Sequence, residues 1–320
     1  MAGATALVAL ASSPALTAAG PSDIFQSVGD FLKSQMDKLN GAITPSKATQ
    51  RNQYWNEDIL KRWRPSGSQN RSPCPMLNAL ANYDILNYDG KNINATSVQF
   101  ALENMLGLRG AMLKFLMRAP GHLAEIHAEN HPDKPKNPDN IKHGIFDLKD
   151  ALKHNFIEHD VSLSRERRTA ADPERALNVS KKRLAKLREF AEDGMLTYNS
   201  IAKFRKHMRA EEEKDGLQPP MHFSLDNQFK AHGEAVLLLE VVGRNGKIAI
   251  DDAVYFFEHE RLPPNFVPLP PSSTSDVYMI GRLVQEFSLF NTLQFLGYNS
   301  MSEKQELVQQ IERELQAVPQ

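Results

Sequence analysis

The chain has 320 residues, 41% of them hydrophobic, enough to bury a sizeable core in one large domain or two ordinary ones. Its 38 basic and 39 acidic residues leave a net charge of −1, so no global charge draws it to nucleic acid or acidic lipid. A single cysteine excludes an internal disulfide and a multi-cysteine metal site, and no run approaches the roughly 20 apolar residues of a membrane span.

Residues 1–20 are small and apolar but lack a preceding Lys or Arg. They fit either a secretory signal ending near Ala18-Ala19-Gly20 or a disordered leader. Sequons at Asn70, Asn94 and Asn178 permit a secreted glycoprotein. An intracellular biosynthetic compartment is the alternative. Residues 21–52 form an N-terminal extension with an amphipathic helix over Pro21–Gly41, capped by Ser22 and closed by Asn40-Gly41. Packing on its own domain is the ordinary fate of such a helix. Thr44–Ser72 is a polar approach whose two tryptophans, Trp55 and Trp63, call for burial.

Ser72-Pro73-Cys74-Pro75-Met76-Leu77-Asn78-Ala79-Leu80-Ala81-Asn82 contains the lone cysteine. Pro73 keeps Ser72 extended, and Pro75 suits the first helical position, so Cys74 falls at the N-cap. Backbone N–H groups and the helix dipole there favour a thiolate, which serves as nucleophile or metal ligand. A buried, inert cysteine is the alternative. Tyr88-Asp89-Gly90-Lys91 marks a turn, and Ser97–Met117 has the pattern of one long core helix.

The loop Asn130–Lys142 is proline-rich. His127 and His131 stand i, i+4 and would suit zinc in a helix. With no cysteine or matching third ligand nearby in sequence, they read as surface histidines. Gly144–Asn155 predicts a short helix leading into Ile157-Glu158-His159-Asp160-Val161-Ser162-Leu163-Ser164-Arg165. On a helix, Glu158 and Ser162 would share a face and offer oxygen ligands for Mg²⁺ or Ca²⁺, with His159 left for proton transfer. A chance surface triplet is the plainer account of Glu-His-Asp.

Ser180–Gly194 and Asn199–Gly216 predict two charged helices, the first with a solvated basic face of Lys181, Lys182, Arg183, Lys186 and Arg188. Phe229–Val242 carries Gly233 and Glu234 ahead of an aliphatic helical run, an unusual place for a carboxylate. Lys247–Ile250 alternates with period two. Further helices are predicted over Ile248–His259, N-capped by Asp251, and over Asp276–Gly297 beyond the prolines of 263–271. A last one spans Ser302–Leu315, within a C-terminal segment 301–320. The pattern is all-α and single-domain, with the domain over residues 53–300. No P-loop, G-x-S-x-G, C-x-x-C or H-E-x-x-H motif is present.

The order Pro-Cys-Pro-x-Leu-Asn-Ala-x-Ala-Asn, then Glu-His-Asp-x-Ser-Leu-Ser-Arg, then Gly-Glu before an aliphatic helix resembles the heme-thiolate peroxidases of the chloroperoxidase and unspecific peroxygenase type. The likeness extends over Trp63 to Leu293. It implies a mostly helical single domain holding one heme b. Cys74 would be the axial iron ligand. Glu158, the carbonyl of His159 and the hydroxyl of Ser162 would bind Mg²⁺ beside a heme propionate. Glu234, rather than Glu240, would be the acid–base residue. Longer members pair that glutamate with an arginine seven residues earlier. Here that position is Asn227, and the chain resembles the short peroxygenases, in which His159 would take the second role. Ile157, Leu237 and Leu238 would line the pocket, though core packing accounts for them equally well.

The implied activity is hydrogen-peroxide-dependent oxidation of small apolar organic molecules, as peroxygenase or peroxidase. A tailoring oxidase with one dedicated substrate and a non-catalytic helical binding protein are the alternatives. Nothing in the residues specifies an oligomeric state.

Overall fold

The computed structural model describes residues 54–132, 143–223 and 225–269. The leader, the predicted helix Pro21–Gly41, most of the proline-rich loop and both C-terminal helices lie outside the described residues.

The fold is all-α, built on one hydrophobic core. Helix α1 (Glu57–Arg62) is capped by the side chain of Asn56, which accepts from the N–H groups of Asp58 and Ile59. It follows Trp55, whose indole is fully buried and meets the rings of Tyr83 and Phe266 edge-on at centroid distances of 5.0 and 5.4 Å. Such contacts add roughly 0.5–1.5 kcal/mol each beyond their buried area. Helix α2 (Pro75–Asn82) starts with proline at its first position and Cys74 in extended geometry at the N-cap, as the two prolines dictate.

The long helix expected over Ser97–Met117 is interrupted. Helix α3 (Ala95–Phe100) runs into a π-helical turn, Ala101–Met105, and the chain then breaks before α4 (Gly110–Leu116). The break sits at Gly107, which has φ +77°. A Cβ there would stand 2.1 Å from the carbonyl oxygen of Leu269. Leu269 in turn donates its N–H to Leu106 O at 3.0 Å. A crossing strand of chain therefore displaces helical continuity that the local apolar pattern supports.

Helix α5 (Ala119–Asn130) follows, with Pro120 in its first turn. The expected helix at Gly144–Asn155 is only a 3₁₀ turn, Leu148–Leu152, capped by Asp147. The Glu158–Ser162 segment is a loop, not a helix.

Helices α6 (Lys181–Glu189) and α7 (Tyr198–Glu212) are capped by Ser180 and Thr197. Between them, β1 (Met195–Thr197) pairs antiparallel with β2 (Lys247–Ala249), Leu196 opposite Ile248. Helix α8 (Leu225–Val236) ends in a second π-helical turn, Leu237–Val242. Helix α9 (Ile250–His259) starts after β2. Asp251 lies in its first turn instead of capping it, because the strand occupies the residues before it.

The basic face expected on α6 divides. Lys182 is 76% exposed, while Arg183 is buried and faces inward onto Glu212. Of the sequon asparagines, Asn70 and Asn94 use their side chains internally, bonding Gly90 O and Lys149 N and capping α3 respectively; Asn178 is exposed.

Candidate active site

Cys74, Ile157, Glu158, His159, Ser162, Gly233, Glu234, Leu237 and Leu238 all line one largely apolar cavity of about 470 Å³. Leu102, Leu106 and Met112 supply further apolar wall on either side of the Gly107 break. Gly233 lines it as well, and a Cβ there would meet nothing within 4 Å. The missing side chain leaves room in the cavity and relieves no clash.

Cys74 reaches this cavity from the N-terminus of α2. The backbone N–H groups of Met76 and Leu77 bond its sulfur, and Arg165 adds positive charge. These pull the thiol pKa down, as the N-cap position predicts. Burial outweighs them and pushes it above its ordinary value, with the charge of Glu234 adding to the rise. The expectation of a free thiolate from helix geometry alone is therefore corrected: desolvation is the larger effect. A cation at the sulfur reverses that balance, because a coordinating thiol is deprotonated outright. The environment suits a metal ligand better than a free nucleophile.

Arg165, the last residue of the Glu-His-Asp motif run, ties the two motifs together. Its Nε donates to Pro73 O at 2.9 Å, Nη1 to Leu177 O at 2.9 Å, and Nη2 to Glu260 Oε1 at 2.5 Å. Glu260 Oε1 also accepts from Asn78 Nδ2 at 2.6 Å, so the asparagine of the cysteine motif joins the same node. Asn78 further bonds Ser72 N and O at 2.8 and 2.7 Å, which fixes the extended approach to Cys74.

Glu234 projects from α8. Its Oε2 accepts from Arg205 Nη2 at 3.2 Å and from Leu163 N at 3.4 Å. Both donors fall on Oε2, which leaves Oε1 as the oxygen to accept a proton. His159 Nε2 stands 3.9 Å from Oε2. Its Nδ1 lies 2.8 Å from Asp160 O. A carbonyl only accepts, so Nδ1 carries the proton and Nε2 is the nitrogen that faces Glu234. Glu240 does not line the cavity; it is buried and accepts from Tyr198 OH at 2.8 Å.

Arg205 is the residue that the sequence did not flag. It is fully buried on α7, and besides Glu234 it donates to Val161 O at 3.1 Å and to Ala231 O. It supplies from α7 a guanidinium partner for Glu234, whereas the residue seven positions before Glu234 on α8 is Asn227. Asn227 itself is turned to Asn155 Oδ1 and His222 O. Val161 has φ +61°, a left-handed conformation that a β-branched residue rarely adopts. Glu212 Oε2 accepts its N–H at 3.0 Å, and Arg205 takes its carbonyl. Glu212 is in turn paired with Arg183, and Arg167 with Asp160 and Asp215. A buried ionic frame therefore holds the strained turn that carries His159. Strain of order 1–3 kcal/mol persists only under such support.

Glu158 is buried, and its Oε2 lies 2.5 Å from His154 Nδ1. Ser162 Oγ accepts from Ser164 N and Arg165 N at 3.4 and 3.2 Å. The loop, not a helix face, brings Glu158 and Ser162 to the cavity. No helix among the described residues is long and apolar enough to cross a membrane.

The helical fold thus presents a thiol, a supported carboxylate and a histidine to one apolar cavity. Residues 61–270, well over half of the chain, match the family described as Peroxidase, family 2. The chain belongs to that family. It is also 34% identical over 63 residues to a chloroperoxidase of Leptoxyphium fumago, a segment covering 20% of this chain and 17% of that protein.

Proposed function

We propose that this protein is a hydrogen-peroxide-dependent heme-thiolate oxidoreductase, a peroxygenase or peroxidase acting on small apolar organic molecules. The observation that carries the proposal is the convergence of Cys74, Glu234 and His159 on one apolar cavity. The residues fit heme b: a sulfur with two N–H groups aimed at it, apolar walls, and volume left open at Gly233. Cys74 would hold the iron. When bound, the heme supplies an iron whose thiolate ligand favours O–O cleavage.

The chain's own residues manage protons and water. Glu234 Oε1 takes a proton from hydrogen peroxide and returns it to the oxygen that leaves as water. Arg205 and Leu163 N fix Oε2 meanwhile, so the carboxylate need not reorganise. His159 Nε2, 3.9 Å from Oε2, is beyond direct hydrogen-bond reach of this carboxylate and would share its proton through one bridging water. Leu237, Leu238 and Ile157 keep the surroundings dry, which strengthens every charge interaction within. Glu158, the carbonyl of His159 and Ser162 Oγ are hard oxygens suited to Mg²⁺. The cation would take Glu158 over from His154.

The deciding measurement is the ferrous–carbon monoxide spectrum of the heme-loaded protein. A thiolate-type Soret band that disappears in Cys74→Ala is expected, and a band without thiolate character overturns the assignment. Turnover of a substrate panel separates broad oxidation from a dedicated tailoring role. Elemental analysis of the purified protein, with Glu158→Gln as control, tests Mg²⁺.

A further inference from the structure

A second group of histidines and carboxylates lies apart from the residues that line the cavity. Helix α5 ends at Asn130 with His131 as its C-cap, and His131 N–H bonds His127 O at 3.1 Å. That bond sets the two imidazoles one turn apart, with ring centroids 4.5 Å from each other. The third ligand absent from the neighbouring sequence arrives from Asp147, the cap of the 3₁₀ turn. One ligand atom from each of His127, His131 and Asp147 lies within 4.8 Å of the others.

What distinguishes this group from surface histidines is Asp150 behind it. Asp150 is 4% exposed. Its Oδ2 stands 2.7 Å from His127 Nδ1, and it also accepts from Asp147 N at 2.8 Å and, through Oδ1, from Asn130 Nδ2 at 2.7 Å. A carboxylate accepts, so His127 Nδ1 donates and Nε2 keeps its lone pair. This is the carboxylate–histidine arrangement that orients metal-bound imidazoles and raises their basicity. The same carboxylate also fixes the backbone of Asp147, so one buried group positions ligands from two elements. Asp147 Oδ1 accepts from Asn92 N at 2.9 Å, and a carboxylate retains further lone pairs beyond that.

We propose that His127, His131 and Asp147 form a site for a first-row divalent cation of the zinc class, braced by Asp150. Two imidazoles and one carboxylate suit Zn²⁺ and its neighbours better than Mg²⁺ or Ca²⁺. Ligand atoms of a tetrahedral zinc site stand about 3.4 Å apart. Closing to that spacing asks for side-chain rotation in His131 and Asp147, both only partly buried. Three protein ligands leave a position for water. The ion would pin the C-terminal end of α5 to the 3₁₀ turn, and Pro120 and Leu123 near the other end of α5 line the cavity. The site does not depend on the heme reading.

The test uses the full-length purified protein, stripped with EDTA and titrated with Zn²⁺ by calorimetry. One equivalent is expected to bind, with a zinc-edge X-ray absorption spectrum showing two imidazoles. His131→Ala, at the helix end, should lose at least tenfold in affinity, and Asp150→Asn should lose 10–100-fold. Glu158→Gln should keep the equivalent. Absence of zinc binding, or an unchanged equivalent and spectrum in the His131→Ala, Asp147→Asn double variant, overturns the proposal. Because Asp147 is a cap, His131→Ala alone keeps the test open if the double variant fails to fold.

Discussion

Two places in this molecule bring histidine and carboxylate together, and they are supported in opposite senses. In the cavity, a buried cation steadies a carboxylate: Arg205 holds Glu234 Oε2, with His159 alongside. At the end of α5, a buried carboxylate steadies an imidazole: Asp150 holds His127 Nδ1. The first arrangement frees a carboxylate oxygen to accept a proton. The second frees a nitrogen lone pair to accept a cation. The supporting group, more than the residue types themselves, decides which chemistry is available.

The sharpest way to break this comparison is Glu234→Gln. It keeps shape and removes the acceptor, so peroxide-dependent turnover should fall about 10²–10⁴-fold, the span of general acid–base catalysis. The ferrous–carbon monoxide spectrum should stay as in the parent. Full turnover would end the acid–base assignment.

Arg205→Met tests the support. It strips a buried donor from Glu234, Val161 O and Ala231 O at once. Breaking a buried pair from one side costs about 3–5 kcal/mol, which a denaturant titration would register, and turnover should fall with it. Arg205→Lys should not restore either, because one ammonium does not reproduce the guanidinium fork.

Gly107→Ala addresses the cavity wall. Helix propensity favours alanine by nearly 1 kcal/mol, so a continuous helix would be stabilised. The positive φ and the 2.1 Å approach to Leu269 O predict loss of stability, of order 1–3 kcal/mol, read as a lower melting temperature.

Cys74 yields a pH effect in heme-free protein. Its folded pKa is raised, chiefly by burial, above the ordinary thiol value of about 8.5. The thiol therefore contributes stability that is present below that pH and is lost as pH climbs through the folded pKa. Alkylation should follow a curve displaced to higher pH than that of a free cysteine, and Cys74→Ser should flatten the stability profile.

The smallest effect belongs to α6. Lys182→Ala removes an exposed pair with Glu211 and should change stability by less than about 0.5 kcal/mol. Its neighbour Arg183, buried on Glu212, would cost several times more, although the sequence presents both as one basic face.

The cysteine motif was legible because its chemistry is local, whereas the Glu-His-Asp run read equally as a chance surface triplet and stood out only through the family resemblance. Two prolines place Cys74 at a helix start by steric rule, and the Gly-Glu pair stands out against aliphatic neighbours. Capping by Ser180 and the period-two stretch at Lys247 were readable for the same reason. Arg205, Glu212 and Glu260 were not. Each bonds its partner across 29 or more positions in Arg205–Glu234, Arg183–Glu212 and Arg165–Glu260. In sequence they are ordinary charges on, or just past the end of, amphipathic helices. The third ligand beside His127 and His131 was hidden likewise, since Asp147 reaches them only through packing of the 3₁₀ turn on α5.

By itself, then, the sequence determined the helical class and the N-cap position of Cys74, because these follow from side-chain periodicity and backbone sterics, while the grouping of the cavity residues was only what the family resemblance implied. Only the tertiary structure decided how those groups behave. Burial overrode the helix terminus at the Cys74 thiol. A crossing of chain at Leu269 broke the 97–117 helix. Buried charges from distant helices held the strained turn at Val161 and the carboxylate of Glu234. Desolvation and long-range pairing depend on what surrounds a residue in space, and that surrounding exists only once the chain has folded.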